Sequence, residues 1–424
     1  MSFVCELAHN SLGSWSNPAM TLPSQGRNSE FKSRRVHMVS CKSVYEPRED
    51  STMLERYVRE YAKGDVLDVG TGSGIQAIAA AQSNNAKSIL ATDIQKGVID
   101  YCKKCIKNKK IRFLQSDLFK NVKGKFDTII FNPPYLPQDL KLKDLTIEAG
   151  KKGYEIIEKF LNEVNNFLKP DGIILIVFSS LTKKEKVEEF IKNNLLDFEE
   201  LEKAHIFFED IHIYLLKKSE LLRKLESKKI VNMKYLTKGR RGLLFTGVYQ
   251  NKKVTIKSKN PQSTAFGRIE NEAKWLKKLN EYNIGPKLLA VGKGHFVYEY
   301  IDGDFIVDYL KKSNKNNIKK IIKKIFNQVL ILDKLKVDKE EMHHPLKHVI
   351  ISRNNPYLID FERIHHVQNP KNVTQFCQFL TSGHLSKILY DKKINIDKEN
   401  LIRLAKIYKN NQNRANLKKI IDLI

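Results

Sequence analysis

The first half of the chain alternates short apolar runs with segments that repeat their apolar positions at helical spacing. The apolar runs predict buried strands over Asp65–Val69, Ser88–Thr92, Ile111–Gln115, Phe126–Phe131 and Ile173–Phe178, with a closing pair of strands between Glu199 and Leu216. The helical spacing predicts helices over Ser51–Tyr61, Ile75–Gln82, Tyr154–Leu168 and Lys183–Asn193. Strands that alternate with helices in this way predict an α/β fold with a doubly wound, largely parallel sheet.

The pattern changes after residue 220. The stretch over 233–257 is typical of a glycine-punctuated antiparallel sheet, and most later segments are helical, which indicates an α+β domain. Residues 1–37 are rich in Ser, Asn, Pro and Gly without any apolar period, so we predict a disordered arm there; a true start at Met38 is the alternative. The predicted organisation is the arm over 1–37, an α/β domain over 38–218, a charged linker over 219–232 and an α+β domain over 233–424. The charged run Glu220–Lys229 suits either a linker or a bridging helix.

Charge is distributed unevenly between the two halves. Residues 1–220 contain 33 basic and 30 acidic side chains, whereas residues 221–424 contain 42 and 18. A net charge of +24 in the second half predicts a surface for RNA or the ribosome, because clustered cations gain from neutralising phosphates. Lysine-biased codon usage is an equally weighted alternative, although such a bias would have charged both halves.

The number of cysteines and the hydropathy of the chain indicate its cellular compartment. Five scattered cysteines do not form a disulfide framework, which favours a reducing compartment. The longest apolar run, 172–178, is too short to span a bilayer. We therefore expect a cytoplasmic protein with no membrane partner.

A glycine-rich turn follows the first predicted strand. Asp68 lies at the end of that strand, and Gly70, Gly72 and Gly74 follow it before a helix. Glycines serve where the backbone turns tightly against a ligand, but this spacing alone would equally suit a dinucleotide. Two acidic residues close the next strands: Asp93 suits ribose hydroxyls, and Asp117 suits an adenine amino group. The set predicts an adenosine-containing ligand.

The segment Asn132-Pro133-Pro134-Tyr135 follows the fourth predicted strand, at the edge where open α/β sheets bind ligands. The side-chain oxygen of Asn132 and the backbone carbonyl of Pro133 can accept the two hydrogens of a planar NH2 group, and Tyr135 can stack on it. This arrangement indicates alkylation of an amide or amino nitrogen.

Together these motifs resemble the class I S-adenosylmethionine-dependent methyltransferases of the NPPY group. The segment Val44–Ser51, with Tyr45 and Asp50, is similar to the YEPxEDT segment of the archaeal and eukaryotic branch of HemK-type release-factor glutamine methyltransferases. Glu148–Gly153 occupies the place of that branch's AGGxxG segment, with Lys151 for the second glycine. The resemblance implies a Rossmann-like sheet, S-adenosylmethionine as donor, and Tyr45 and Asp50 closing over it.

The resemblance also implies a substrate and a partner. It favours the glutamine of a peptide-chain release factor as the acceptor and implies a small zinc-binding activator subunit. Adenine N6 and guanine N2 present a similar planar nitrogen, so a methyltransferase of RNA or DNA stays open as the alternative.

The second half resembles the small atypical kinases of the RIO and archaeal type. Gly239 and Gly242 resemble the kinase glycine loop, Lys257 the lysine of the following strand, and Glu272 its helix-borne partner. Asp360, in Leu358–Glu362, occupies the place of the metal-binding aspartate. The resemblance implies ATP and Mg²⁺ as ligands of this half, with Asp360 binding the metal.

Two departures from the kinase pattern argue against kinase activity of the second half. The catalytic-loop segment His343–His348 lacks the aspartate base, and His348 stands where a metal-binding Asn is expected. Glu362 replaces the glycine that follows Asp-Phe. A kinase requires its base and metal ligands together, so we favour a nucleotide-binding or scaffolding module over an active kinase; a bifunctional methyltransferase and Ser/Thr kinase is the alternative.

Overall fold

The computed structural model describes residues 47–134, 153–206, 208–239, 242–260 and 267–424. The arm predicted over 1–37 lies outside these ranges. Elements are numbered in chain order below.

The first half forms one seven-stranded sheet with helices on both faces. Its strands are β1 (Gly64–Val69), β2 (Ala86–Asp93), β3 (Ile111–Gln115), β4 (Phe126–Phe131), β5 (Leu168–Ser179), β6 (Leu196–Ile206) and β7 (Glu209–Lys218). Its helices are α1 (Glu49–Tyr61), α2 (Ile75–Gln82), α3 (Lys96–Cys105), α4 (Glu155–Val164) and α5 (Lys184–Asn193). The strand order is β3-β2-β1-β4-β5-β7-β6, and only the pairings that involve β7 are antiparallel. The predicted Rossmann-like sheet is confirmed.

The central strands are apolar on both faces because each face is covered by helices. Leu67 and Ile129 pack with α4 and α5 on one side, whereas Val66 and Ile130 pack with α1 and α2 on the other. The apolar run in β5 therefore reflects burial on both faces rather than a membrane span. None of the helices in the described ranges has the length and apolar character that crossing a bilayer requires.

The strand register aligns the carboxyl ends of β1, β2, β3 and β4. Val69 pairs with Phe131 of β4 and with Thr92 of β2, and Asp93 pairs with Gln115 of β3. The segments that follow these strands therefore meet at one edge of the sheet, where doubly wound folds bind their ligands.

The segment predicted as a charged linker, 219–232, forms a helix, α6 (Glu220–Ser227), and the start of the next strand. Leu222, Leu225 and Ile230 are buried in a cluster that includes Leu195 of the first half and Phe245 of the second. Charged residues occupy the exposed face of this short helix, whose apolar side chains join the two halves.

The second half begins with a five-stranded antiparallel sheet and continues with helices. The sheet has the order β11-β12-β10-β9-β8 and consists of β8 (Val231–Lys238), β9 (Gly242–Tyr249), β10 (Lys252–Lys259), β11 (Leu288–Gly292) and β12 (His295–Glu299), with α7 (Arg268–Asn280) between β10 and β11. The remaining strands are short: β13 (Asp304–Phe305), β14 (Val337–Asp338), β15 (Val349–Ser352), β16 (Asn355–Leu358) and β17 (His365–His366). The remaining helices are α8 (Ile306–Lys312), α9 (Lys315–Lys334), α10 (Asn372–Leu380), α11 (Gly383–Asp391), α12 (Lys398–Asn410) and α13 (Arg414–Asp422). This is the α+β architecture that the sequence predicts.

Candidate functional site

The glycine turn after β1 has the backbone conformation that requires glycine. Gly70, Gly72 and Gly74 have φ angles of +70°, +52° and +84°, a region that side-chain-bearing residues rarely occupy. A Cβ at Gly74 would lie 2.3 Å from Ile106 Cδ1, so close helix packing excludes a side chain there. At Gly70 a Cβ would meet no described atom within 4 Å, because this glycine faces an open cavity.

The side chain of Asp68 supports the glycine turn from its buried side. The Thr71 hydroxyl donates to Asp68 Oδ2 at 2.6 Å, and the carboxyl group is buried beneath the turn. Burial raises the pKa of Asp68 to about 7. Neither Asp68 nor Gly74 lines the cavity, so the structure places these two predicted cofactor residues in support of the turn rather than at its surface.

The cavity in front of the turn has a volume of about 480 Å³. Gly70 and Gly72 line it, as do the predicted polar residues Asp93 and Asp117. Asp93 accepts hydrogen bonds from the backbone N–H of Gly72 at 3.1 Å and of Gln95 at 2.9 Å. The Ile94 N–H is a third backbone partner. A carboxylate offers about four acceptor positions, so Asp93 retains capacity for a ligand hydroxyl. Asp117 lies exposed at the cavity rim.

The cavity suits the predicted donor, S-adenosylmethionine. Ser73 Oγ lines it and is buried, yet it has no hydrogen-bond partner within the described part of the chain. Buried polar atoms are generally paired, so this hydroxyl indicates a polar group of a ligand. Apolar contact for a flat ring is available from Ile94, whose side chain is 60% exposed although it is surrounded by site residues.

Asn132 is held at the same cavity by two hydrogen bonds. Its amide nitrogen donates to Asp50 Oδ2 at 3.1 Å and to Ser51 Oγ at 3.0 Å. A carboxylate only accepts, so the nitrogen of the Asn132 amide must face Asp50. The Oδ1 atom is then directed away from this anchor and remains available as a hydrogen-bond acceptor. Pro133 lines the cavity beside it.

Asp50 thus holds Asn132 and also lines the cavity, where the sequence predicts that it closes over the donor. Asp50 and Ser51 lie in the first turn of α1 and are both buried. Gln76 of α2 in turn donates to the Ser51 carbonyl at 2.8 Å, which ties α1 to the helix after the glycine turn. Sequence reasoning missed Ser51, Ser73 and Gln76. Small polar residues at helix starts are the signal that could have found them. Tyr45 and Tyr135 lie outside the described residues.

A second group of charged side chains lies in the α+β half. Lys257 Nζ contacts Glu272 Oε2 at 2.6 Å and donates to Asp360 Oδ1 at 2.9 Å. Burial alone would lower the pKa of Lys257, but Glu272 and Asp360 outweigh it and raise that pKa. Burial would likewise raise the pKa of Asp360, but Lys257 and Lys339 hold it at about 2. Lys257 and Asp360 consequently keep their charges at neutral pH, whereas burial raises the pKa of Glu272.

Gly242 of the predicted glycine loop lies close to this lysine. Gly239 N donates to Gly242 O at 2.8 Å, which links the end of β8 to the start of β9. A Cβ at Gly242 would lie 3.4 Å from Lys257 Cε, so the loop backbone approaches the lysine closely. Asp360 has a φ of +61°, an uncommon conformation for a residue with a side chain and one that is found at functional sites. The structure thus brings Gly242, Lys257, Glu272 and Asp360 together.

Comparison with known proteins places the first half in a family. The profile of the family described as "Methyltransferase small domain" matches residues 49–208. A protein named as a putative protein N5-glutamine methyltransferase from Methanocaldococcus jannaschii is 42% identical over 154 residues, which cover 34% of this chain and 78% of that protein. The release factor glutamine methyltransferase of Lactococcus lactis is 31% identical over 142 residues, covering 30% of this chain and 53% of the bacterial enzyme.

Among solved structures, the Mtq2–Trm112 complex of E. cuniculi, described as responsible for methylation of the eRF1 translation termination factor, is 23% identical. The match covers 42% of this chain and 99% of that chain, with a TM-score of 0.35. The family assignment rests on the M. jannaschii relative, most of whose length is matched at 42% identity. The chain therefore belongs to the family of S-adenosylmethionine-dependent protein N5-glutamine methyltransferases.

Proposed function

We propose that residues 38–218 transfer a methyl group to the side-chain amide nitrogen of a glutamine in a peptide-chain release factor. The observation that carries the proposal is the anchored amide of Asn132, which presents an acceptor oxygen beside the donor cavity. The names of the M. jannaschii and L. lactis relatives support glutamine as the acceptor.

The proposed mechanism needs positioning more than acid or base strength. S-adenosylmethionine, when bound, supplies a methyl group activated by its sulfonium. Gly70 and Gly72 would approach the donor through their backbone, and Asp93 would accept from one of its ribose hydroxyls. Asn132 Oδ1 and the Pro133 carbonyl would accept the two substrate N–H hydrogens, fix the nitrogen in line with the methyl group, and stabilise the positive charge that develops on it. The proton lost from that nitrogen then passes to water.

Incubation of the full chain with labelled donor, a release factor and a structured RNA tests this proposal. We expect label on the release factor, and we expect Asn132→Ala to lower turnover by about 10²-fold or more because the oriented acceptor is lost. Asn108→Ala is the matched control, since the exposed Asn108 accepts from Lys110 N at 2.9 Å just before β3, at the opposite end of the sheet. Label on RNA alone would contradict the glutamine assignment and favour the nucleobase alternative.

A small zinc-binding activator subunit stays a prediction of the family resemblance. Co-expression with such a subunit is expected to raise the yield of active enzyme. Equal specific activity of the chain with and without the subunit would contradict a requirement for it.

We further propose that residues 233–424 form a kinase-like module that binds ATP. Support comes from the contacts of Lys257 with Glu272 and Asp360 under the glycine loop, because kinases need these groups together to hold phosphates and metal. Titration of the full chain with a fluorescent ATP analogue tests the proposal. Saturable binding that Lys257→Ala abolishes is expected, whereas unchanged binding in that variant would contradict it.

We also propose that the basic second half contacts RNA or the ribosome. The observation that favours this partner is a row of lysines exposed on α9, consisting of Lys315, Lys319, Lys320, Lys323 and Lys324. The apolar face of the same helix is buried, so the lysines form its outer surface. A helix with several cations along one face suits a phosphate backbone.

A further inference from the structure

His348 lies beside the proposed nucleotide site and has no role in the proposals above. It directly precedes β15, and Asp360 lies two residues after β16. These strands form an antiparallel hairpin in which Val349 pairs with Leu358, and Ile359 N donates to His348 O at 2.9 Å. The hairpin therefore holds the side chains of His348 and Asp360 at the same end.

The two side chains approach each other without forming a hydrogen bond. His348 Nδ1 lies 3.7 Å from Asp360 Oδ2, beyond hydrogen-bonding distance. The Nδ1 atom is buried and has no hydrogen-bond partner within the described ranges. Buried ring nitrogens are normally paired, so this one indicates an absent ligand.

The separation suits two ligands of one cation. Two atoms that each lie about 2.0–2.2 Å from a divalent ion are about 3–3.5 Å apart. The observed 3.7 Å between His348 Nδ1 and Asp360 Oδ2 needs only a small side-chain adjustment to reach this range. One ligand is an imidazole nitrogen and the other a carboxylate oxygen, a set that first-row transition metals accept, whereas Mg²⁺ strongly prefers oxygen.

Neighbouring cations restrict which metal complex can bind. Lys257 contacts Asp360 Oδ1 at 2.9 Å, and Lys339 donates to the Asp360 carbonyl at 2.5 Å. In the described part of the chain no three His, Cys, Asp or Glu side chains converge on one point. A bare divalent ion would therefore find two ligands close to positive charge. Phosphate oxygens would complete its coordination and balance both lysines.

We propose that His348 and Asp360 together bind a divalent transition metal as its complex with a nucleoside triphosphate, so that this site prefers Mn²⁺ over Mg²⁺. This inference rests on the proposed binding of ATP by the second half and adds the identity of the metal. His348 is the residue that determines the preference, because an asparagine at this position would supply oxygen instead of nitrogen.

Calorimetric titration of the full chain with a non-hydrolysable ATP analogue, in Mn²⁺ and in Mg²⁺, tests the preference. We expect binding to be about 5-fold tighter or more with Mn²⁺, since an imidazole ligand favours the transition metal. His348→Asn is expected to reduce the ratio to about 2-fold or less, because an amide oxygen suits both ions. His344→Asn, at an exposed histidine of the same segment, is the matched control and should keep the wild-type ratio.

The possible outcomes distinguish the metal preference from the proposed binding of ATP, on which it rests. Binding of the analogue without metal preference, and without an effect of His348→Asn, would overturn the inference and leave ATP binding intact. Absence of binding with either metal would overturn both. Pulsed electron paramagnetic resonance of the wild-type Mn²⁺ complex gives a readout that needs no variant. Coupling to an imidazole ¹⁴N is expected, and its absence would overturn the role of His348.

Discussion

At the scale of single residues, the orientation of one amide is central to the proposed reaction. Asn132 holds its nitrogen toward Asp50 and Ser51 of α1, so a helix that precedes the whole sheet orients the residue that follows the fourth strand. Both anchors are buried, which keeps water from competing for the amide. The orientation is thus set before any substrate binds, and preorganisation of this kind contributes to catalysis.

Ser51→Ala removes one of the two anchors without touching the donor turn. We expect turnover to fall about 10-fold, because a misplaced reacting group costs rate even when binding is preserved. The KM for S-adenosylmethionine should change little. Ser88→Ala is the matched control, since Ser88 Oγ bonds Asp65 in the first part of β1, at the other end of the sheet. Equal losses of turnover in both variants would contradict the anchoring role.

Asp68→Asn tests the buried carboxyl group beneath the turn. A pKa raised from its ordinary value to about 7 means that the folded protein binds this proton more tightly than the unfolded chain does. Stability from this group is therefore lost as the pH rises from about 4 to about 7, and it is constant above that range. The asparagine variant lacks this loss.

The difference in melting temperature between Asp68→Asn and wild type should therefore shift in favour of the variant as the pH rises. We expect this shift to be at least about 2 °C from pH 5 to pH 8. Thermal denaturation monitored by circular dichroism across this range measures the difference. A difference that stays constant with pH would show that Asp68 titrates normally.

At the scale of elements, a buried ion pair holds α6, the short helix between the two halves, against the first half. The side chain of Lys218, at the end of β7, is fully buried and contacts Glu226 Oε1 of α6 at 2.6 Å. Its ammonium also donates to the Asn165 carbonyl at 3.0 Å. Burial lowers the pKa of Lys218, and Glu226 opposes that shift. The pair therefore belongs to the core of the junction.

Glu226→Ala is expected to destabilise the protein by about 3 kcal/mol, because it leaves a buried ammonium without its partner. The double variant Lys218→Met/Glu226→Leu should recover most of that loss, since an apolar pair removes both charges. Urea denaturation measures these changes. Glu220→Ala, in an exposed pair on the same helix, is the control and should leave the midpoint unchanged. A similar loss in the double variant would contradict the pairing argument.

Elements of the first half could be predicted from sequence because their signals are local. Apolar runs such as Phe126–Phe131 mark buried strands, and the glycines after Val69 mark a turn that only glycine adopts. The contact between Asp50 and Asn132 could not be predicted, because it joins residues 82 positions apart through the docking of α1. The burial of Asp68 behind the turn likewise depends on packing that no local pattern contains.

The second half likewise has features that could be predicted from the sequence and features that could not. Its strand-then-helix order was readable, and so was the set formed by Lys257, Glu272 and Asp360. The unpaired nitrogen of His348 depends on how one hairpin closes, and the sequence shows only that a histidine replaces the expected asparagine.

At the scale of the whole molecule, charge separates the two halves. Lys319→Glu/Lys323→Glu is expected to weaken binding of the full chain to single-stranded RNA and to reduce the salt dependence by a log–log slope of about 1.4, which is about 0.7 for each lysine. Lys103→Glu/Lys107→Glu is the control, because it makes the same change in net charge at two exposed lysines of the first half. Filter binding at several salt concentrations compares the two. Equal effects would show that net charge, rather than the α9 surface, drives binding.

The identity of the methylated atom tests the account most directly. Mass spectrometry of a release factor and of cellular RNA, each incubated with the full chain and S-adenosylmethionine, locates the transferred methyl group. We predict a single methyl group on the side-chain nitrogen of one release-factor glutamine, transferred at least about 10²-fold more slowly when Asn132 is replaced by alanine. A methylated adenine or guanine with an unmodified release factor would contradict the account.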